Sequence, residues 1–294
     1  MILSYEDFRD KFTKEVFESA KAVSTVKTVE KKEIFKSNRG LTEALAIQLE
    51  GMNIAPMIYP YDAYERYSSG ERNVKAIARE MLEWALSAAK SRMGFDFSGI
   101  CPENASGHLY LQILNGERNR DFAQSTAHLT LHDLIAVPRW KIGDGSILCS
   151  REFQKEFLKF SDEELLETAL AGTVNCEFTI RGMLEYLGSF SGDELKFEER
   201  MYIVFGKGSI SGAAALFSQK MLEKICIAVE DENYYVIPSS VNEIIAVPEW
   251  AVDDPSYLLK TCREVNSTSV DPEDFLSDNI YKYESAAGKL TLPF

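Results

Sequence analysis

The chain has 294 residues and a net charge of -14, from 46 acidic against 32 basic side chains. Such an excess repels a phosphate backbone and anionic lipid, so neither nucleic acid nor a membrane surface is an expected partner. With 45% apolar and 27% charged residues, the balance is that of an ordered protein forming one large domain or two modest ones.

The first ten residues carry Glu6, Asp7 and Asp10 where an export signal needs a basic start and an apolar run. No apolar stretch approaches the roughly 20 residues that cross a bilayer, so the expected location is the cytoplasm. Cys101, Cys149, Cys176, Cys226 and Cys262 are scattered, odd in number and lack a C-x-x-C pair. Neither a disulfide framework nor a metal site is expected, and Cys226 and Cys262 read as small core residues.

Ser4, with Asp7 three residues on, predicts a helix start followed by Phe8, Phe12, Val16 and Phe17 on roughly one face. Two β-like runs, residues 23–29 and 45–49, flank the turn-prone Ser37-Asn38-Arg39-Gly40 and predict a hairpin or meander. The run from Asn53 to Pro60 is broken by Pro56 and fits an edge strand or extended connector. A long amphipathic helix follows, capped by Asn73, ended by Gly94, with Val74, Ile77, Ala78, Met81, Leu82 and Ala85 on one stripe.

From Cys101 the pattern predicts strands over residues 108–114 and 131–138, then helices over 150–160 and 161–171, the second with the capping box Ser161 and Glu164. Residues 189–199, rich in Ser, Gly and acids, read as a linker. Beyond it come a strand over 201–205, a helix over 211–228, strands over 234–238 and 243–248, and a helix from Pro255, with proline at its first position after Asp254. Asp271-Pro272 repeats that start and predicts a short final helix.

Leu131 to Trp140 and Val241 to Trp250 align without gaps on Ile-Ala-Val-Pro-x-Trp. Each stretch has an upstream strand, with Tyr110 or Tyr202, and helices downstream. Either the chain is duplicated, the second copy enlarged by a helix, or similar strands recur by chance. A largely apolar strand ended by proline fits burial against helices, with the tryptophan ring closing the end of the core.

Phe205 to Ala215 places Gly206, Lys207, Gly208, Ser209, Ser211 and Gly212 between a strand and a helix start, an arrangement that cradles phosphate on free N–H groups. The G-x-G-x-x-x-G spacing matches neither the Walker nor the dinucleotide pattern, and a tight turn into a closely packed helix explains it equally. Asn115 to Arg120 is a polar loop whose Arg118 and Arg120 could grip a carboxylate or phosphate. His128, His132 and Asp133 invite a metal or acid–base reading, but a strand would put Asp133 on the opposite face and nothing marks a third ligand. Tyr59, Tyr61, Tyr64 and Tyr67 crowd one segment, as an interface or as a core boundary. No catalytic signature is present: G-x-S-x-G, H-E-x-x-H and paired carboxylates are all missing.

On these residues the chain resembles an uncharacterised bacterial family of unknown function, number 5688, over nearly its whole length. The resemblance rests on residues 53–59 with Tyr64 and Tyr67, Asn115 to Asn119, residues 201–217 and 235–243, and Arg263 to Asn266 leading to Asp278 to Tyr281. The family more often has Pro-His where this chain has Ala127-His128, and histidine where it has Asn242. The C-terminal half is also distantly similar to a second uncharacterised bacterial family. Neither resemblance implies an activity, a cofactor or catalytic residues.

The expected fold is α+β. An N-terminal helix, hairpin and long amphipathic helix (1–100) precede two related strand/helix units with mainly antiparallel sheet (101–190 and 200–294), packed as one domain or two. The expected function is a non-enzymatic cytoplasmic module that binds a protein or peptide through an exposed sheet edge or the tyrosines, without a cofactor. The rival expectation is a small-molecule or nucleotide-phosphate binder, or an enzyme, at the Gly206–Gly212 loop. Oligomeric state is not readable from the residues.

Overall fold

The computed structural model describes residues 2–90, 97–143, 145–187, 200–207 and 210–294. The predicted linker over 189–199, the Gly94 helix end, Gly208 and Ser209 lie outside the described residues. The fold is α+β, with helices set against mainly antiparallel sheet. The chain divides into two compact units, Met1–Lys36 with Leu41–Ser98, and Ser37–Gly40 with Gly99–Phe294.

The first unit begins with α1 (Tyr5–Lys21), whose N-cap Ser4 accepts a hydrogen bond from the Asp7 N–H as its spacing predicts. β1 (Val26–Lys36), β2 (Gly40–Leu49) and β3 (Met57–Ile58) form a sheet in that order. The hairpin strands are longer than predicted, and the proline-broken run supplies the short strand β3. α2 (Pro60–Ser69) and α3 (Val74–Lys90) follow, α3 started by the Asn73 side chain, which accepts from the Ala76 N–H. Phe8, Phe12 and Val16 of α1, Leu45 and Ile47 of β2, and Ile77 and Ala85 of α3 are all fully buried in one core. Each large side chain buried there contributes about 1.5–3 kcal/mol.

The second unit starts with α4 (Ala105–His108), β4 (Leu109–Asn115), α5 (Arg120–Ala123), β5 (Leu129–Leu131), β6 (Leu134–Ile142) and β7 (Gly145–Leu148). β6 pairs antiparallel with β4 on one side and with β5 and β7 on the other. α6 (Arg151–Phe153) runs into a π-helical turn (Gln154–Leu158). Next is α7 (Asp162–Val174), where the Ser161–Glu164 capping box forms. The strand predicted over 108–114 and the capped helix form. The strand predicted over 131–138 is broken at His132-Asp133 into β5 and β6, and the helix predicted over 150–160 is a short α-helix ending in the π-helical turn.

β8 (Phe178–Gly182) and α8 (Met183–Leu187) follow, neither of them anticipated. Then come β9 (Tyr202–Gly206), a 3₁₀ helix (Gly212–Phe217), α9 (Gln219–Val229), β10 (Asn233–Ile237), β11 (Glu243–Pro248) and α10 (Pro255–Thr268). The chain closes with β12 (Tyr281–Glu284) and β13 (Lys289–Thr291). The second sheet has the order β13-β12-β10-β11-β9-β8. Its β9-β11-β10 segment repeats the order of β4-β6-β5: one strand, then a hairpin whose second strand pairs with it.

The two tryptophans of the aligned stretches do not match. Trp140 lies within β6, 2% exposed, stacked on His108 with centroids 5.0 Å apart and close to Phe153. Trp250 is 61% exposed, which corrects the expectation that both rings close a core. The cause is local: β6 continues past Pro138 to Ile142, whereas β11 stops at Pro248 and turns into a 3₁₀ helix, Glu249–Ala251, which carries the ring outward. The expected final helix after Asp271-Pro272 is a single turn, closed by the Asp274 and Phe275 N–H groups on the Asp271 carbonyl.

Candidate functional site

Around the glycine loop, polar groups are engaged within the second unit. The Gly212 N–H donates to the Asn242 carbonyl at 2.6 Å, and the Ser211 hydroxyl donates to the Val241 carbonyl. A Cβ on Gly212 would fall 2.3 Å from the Val204 carbonyl oxygen, and one on Gly206 2.1 Å from that of Ile210. These glycines therefore permit close backbone approach. Lys207 is exposed and ion-paired to Glu177 at 2.5 Å, its backbone N–H donating to the Glu177 carbonyl. The helix that follows is 3₁₀, and the α-helix starts only at a second cap, Ser218, whose hydroxyl accepts from the Met221 N–H.

The Asn115 to Arg120 loop is the centre of a buried polar knot. Asn119 is fully buried; its amide donates to Asn38 Oδ1 and to the Asn115 carbonyl, both at 2.7 Å, and its Oδ1 accepts the Asn38 N–H at 2.9 Å. Asn38 in turn donates to the Glu273 and Phe275 carbonyls, and Asn115 to that of Leu276. The Arg118 guanidinium stacks on the Phe275 ring, 3.6 Å from its centroid, while Arg120 is exposed at the start of α5. The two arginines are thus not paired on one target. No hydrogen bond, ion pair or ring contact among the described residues joins Arg118 to His128.

The three histidines sit apart. His128 is exposed beside the Thr126 carbonyl, and His108 lies on Trp140. His132 occupies the β5–β6 turn at φ 53°, stacked on Tyr281, with Nε2 2.9 Å from the Leu290 carbonyl. Asp133 accepts from the Tyr281 hydroxyl at 2.5 Å and the Ser277 hydroxyl at 2.6 Å. Burial, together with that carboxylate, raises the Tyr281 phenol above its ordinary range, so it stays a donor. Ser277 and Tyr281 are fully buried, so this cluster anchors the chain segment instead of facing a ligand. No group of three metal-ligating side chains occurs among the described residues.

In the first unit, α2 brings its tyrosines against α1. Tyr64 and Tyr67 pack on Phe8, with centroids 5.3 and 4.9 Å away, and their hydroxyls bond the Leu3 carbonyl and N–H. Both hold the N-terminal segment in place. Tyr61 is 42% exposed and meets Tyr5 edge-to-face, while the Lys36 ammonium lies 4.2 Å above the Tyr59 ring and 3.3 Å from Asp62. Burial and the Glu43 carboxylate raise the Tyr5 phenol above its ordinary range, so it too remains a neutral donor.

β1, at the end of the sheet order, leads to this aromatic surface. Its 11 residues are bordered by β2 on one side, and over residues 26–34 no described strand lies along the other. Lys27, Thr28, Lys31, Lys32 and Glu33 are exposed there. Lys31 approaches Glu43 at 3.8 Å and Lys32 pairs with Glu30 at 2.8 Å, solvent-exposed contacts of small energetic weight. An edge strand offers alternating N–H and C=O groups to another extended chain. Sequence reasoning named a sheet edge but not which one, because strand order depends on pairings invisible in a local pattern.

No helix among the described residues is long and apolar enough to cross a membrane. No curated protein and no solved structure matches the chain. The model of the Family of unknown function (DUF5688) matches residues 5–285, nearly the full length, and the chain belongs to that family.

Proposed function

We propose that this chain is a cytoplasmic protein-binding module that takes an extended peptide segment as an added strand along β1. The observation that supports this reading is the 11-residue strand standing at the end of its sheet. At about 3.4 Å per residue it runs roughly 37 Å, long enough to pair with a peptide of some ten residues. Lys27, Lys31 and Lys32 outnumber Glu33 on its exposed positions, with Glu30 half-buried, so the favoured peptide is acidic. Charged side chains on such an edge also discourage self-pairing, which keeps it open to a chosen partner. Tyr61 and Tyr59 offer aromatic area near the Lys36 end of the strand.

A displayed random-peptide library tests the proposal, followed by Lys31→Pro and Lys32→Pro. Adjacent residues of an edge strand point their N–H groups alternately toward the sheet and outward. One proline therefore breaks the β1–β2 ladder, whereas the other leaves the fold intact and removes an outward donor. The variant that keeps its stability is expected to lose peptide binding by about tenfold or more, roughly 1.4 kcal/mol. Full binding by that variant, or a selection that returns no extended acidic peptide, overturns the reading.

A further inference from the structure

Among the described residues, Arg139 is the half-buried cation of the second unit that has no carboxylate beside it. Arg9, Lys36, Arg39, Arg66 and Lys282 are buried to a similar degree, and each pairs with an acid: Glu43, Asp62, Glu273, Glu71 and Glu249 respectively. The Arg139 partners are neutral. Its Nε donates to Ser146 Oγ at 2.7 Å, one terminal nitrogen to Gln112 Oε1 at 3.0 Å, and the other to the Ser146 carbonyl at 3.1 Å. Withdrawing a guanidinium from water without an opposing charge is unfavourable by several kcal/mol. In a chain with 46 acidic side chains, an internal counter-ion would have been easy to supply.

The surroundings fix the group in place. Arg139 lies on β6 between Tyr110 of β4 and Leu148 of β7, its direct cross-strand neighbours. Gln112 and Ser146 reach it from the two flanking strands, so the planar fork is braced from both sides. Three of its five N–H groups are used by Gln112 and Ser146, and the Tyr110 hydroxyl is a further hydrogen-bonding neighbour of the fork. Two residues along the strand, Lys141 is exposed on the same face, opposite Ser146.

We propose that Arg139, braced by Gln112 and Ser146 and supported by Lys141, is an oxyanion-binding subsite for the phosphate or carboxylate group of a small molecule. The remaining guanidinium N–H together with the Tyr110 hydroxyl can meet two oxygens of either anion, and Lys141 adds a second, mobile charge. The same geometry discriminates against chloride, which has no two-oxygen face. Preorganisation by two neutral partners means that the bound anion meets a cation already oriented and partly stripped of water.

The test is a titration of the whole chain with inorganic phosphate and, separately, acetate, against chloride at matched ionic strength. The Arg139 Nε–H resonance is followed by NMR. A saturable shift with phosphate alone assigns a phosphoryl ligand, one with acetate alone a carboxylate ligand, and one with both the shared oxyanion chemistry. No shift with either, or the same shift with chloride, overturns the proposal. Arg139→Gln is expected to weaken binding by about tenfold or more, the loss of a charge-assisted pair, while the exposed Arg120→Gln leaves it unchanged. If Arg139→Gln does not fold, Lys141→Gln serves: it keeps the brace, and its affinity is expected to fall by about threefold, an unchanged affinity counting against the two-cation site.

Discussion

Truncating Asn119 to alanine tests the polar knot directly. The side chain makes three bonds of 2.7–2.9 Å, two to Asn38 and one to the Asn115 carbonyl, in a place without solvent exposure. Asn119→Ala leaves the Asn38 N–H and Oδ1 without these partners, and a buried polar group so orphaned costs about 1–3 kcal/mol. Some of that is recovered if water enters, so the expected loss is about 3–5 kcal/mol, or roughly 6–20 °C in Tm for a unit of this size. Asn119→Asp should do no better, because it puts a carboxylate against Asn38 Oδ1 and the Asn115 carbonyl. Urea denaturation followed by circular dichroism measures both. Asn242→Ala, whose exposed side chain makes one 3.4 Å contact to Asp274, should stay within about 0.5 kcal/mol. A loss below about 1 kcal/mol for Asn119→Ala would refute the view that the knot holds the second unit together.

Two further outcomes follow from burial. Trp140→Ala should cost about 3–5 kcal/mol, whereas Trp250→Ala should cost less than about 1 kcal/mol; equal losses in denaturation would contradict the exposure difference between them. Cys149 is fully buried and its thiol is pushed up to about 12 from 9.0 by that burial. The folded state therefore favours the neutral thiol: this contribution is fully present below pH 9 and is lost as pH rises from 9 toward 12. Stability measured between those limits should fall more steeply for the parent than for Cys149→Ala, by up to about 1.4 kcal/mol per pH unit, and parallel curves would refute the assignment.

Much of the local architecture was legible because its determinants are close in sequence. Ser4, Asn73, Ser161 with Glu164, and Asp254 before Pro255 each cap the helix expected of them. The predicted helix over 211–228 merged two elements, since the second cap at Ser218 was not recognised. The helix after Asp271 was predicted from a sound start signal, but the Phe275 and Leu276 carbonyls that a longer helix would use accept instead from Asn38 and Asn115. Those donors lie 237 and 161 residues away, beyond any local pattern. β8, β12 and β13 went unanticipated because short strands take their definition from neighbours in the sheet.

Among the candidate sites, the glycine loop and the arginine loop were recognisable as unusual sequence, and their polar groups turn inward. Gly212 fits a pattern of phosphate binding as well as one of tight packing until the Asn242 carbonyl is seen on its N–H. Arg139 carried the opposite problem. It occupies the variable position of Ile-Ala-Val-Pro-x-Trp, where the second stretch has Glu249, and nothing local shows which acids are near it.

The turn at residues 37–40 also sets a timetable for assembly. The Asn38 side chain bonds carbonyls that lie 235 and 237 residues further along the chain. At a ribosomal rate of about 5–20 residues per second, the turn emerges roughly 10–50 s before those acceptors exist. During that interval Asn38 must remain solvated while the neighbouring hairpin strands are already available for pairing. Completion of the second unit therefore waits on nearly the whole chain, and a nascent chain interrupted before residue 273 would leave Asn38 without the carbonyls that close the knot.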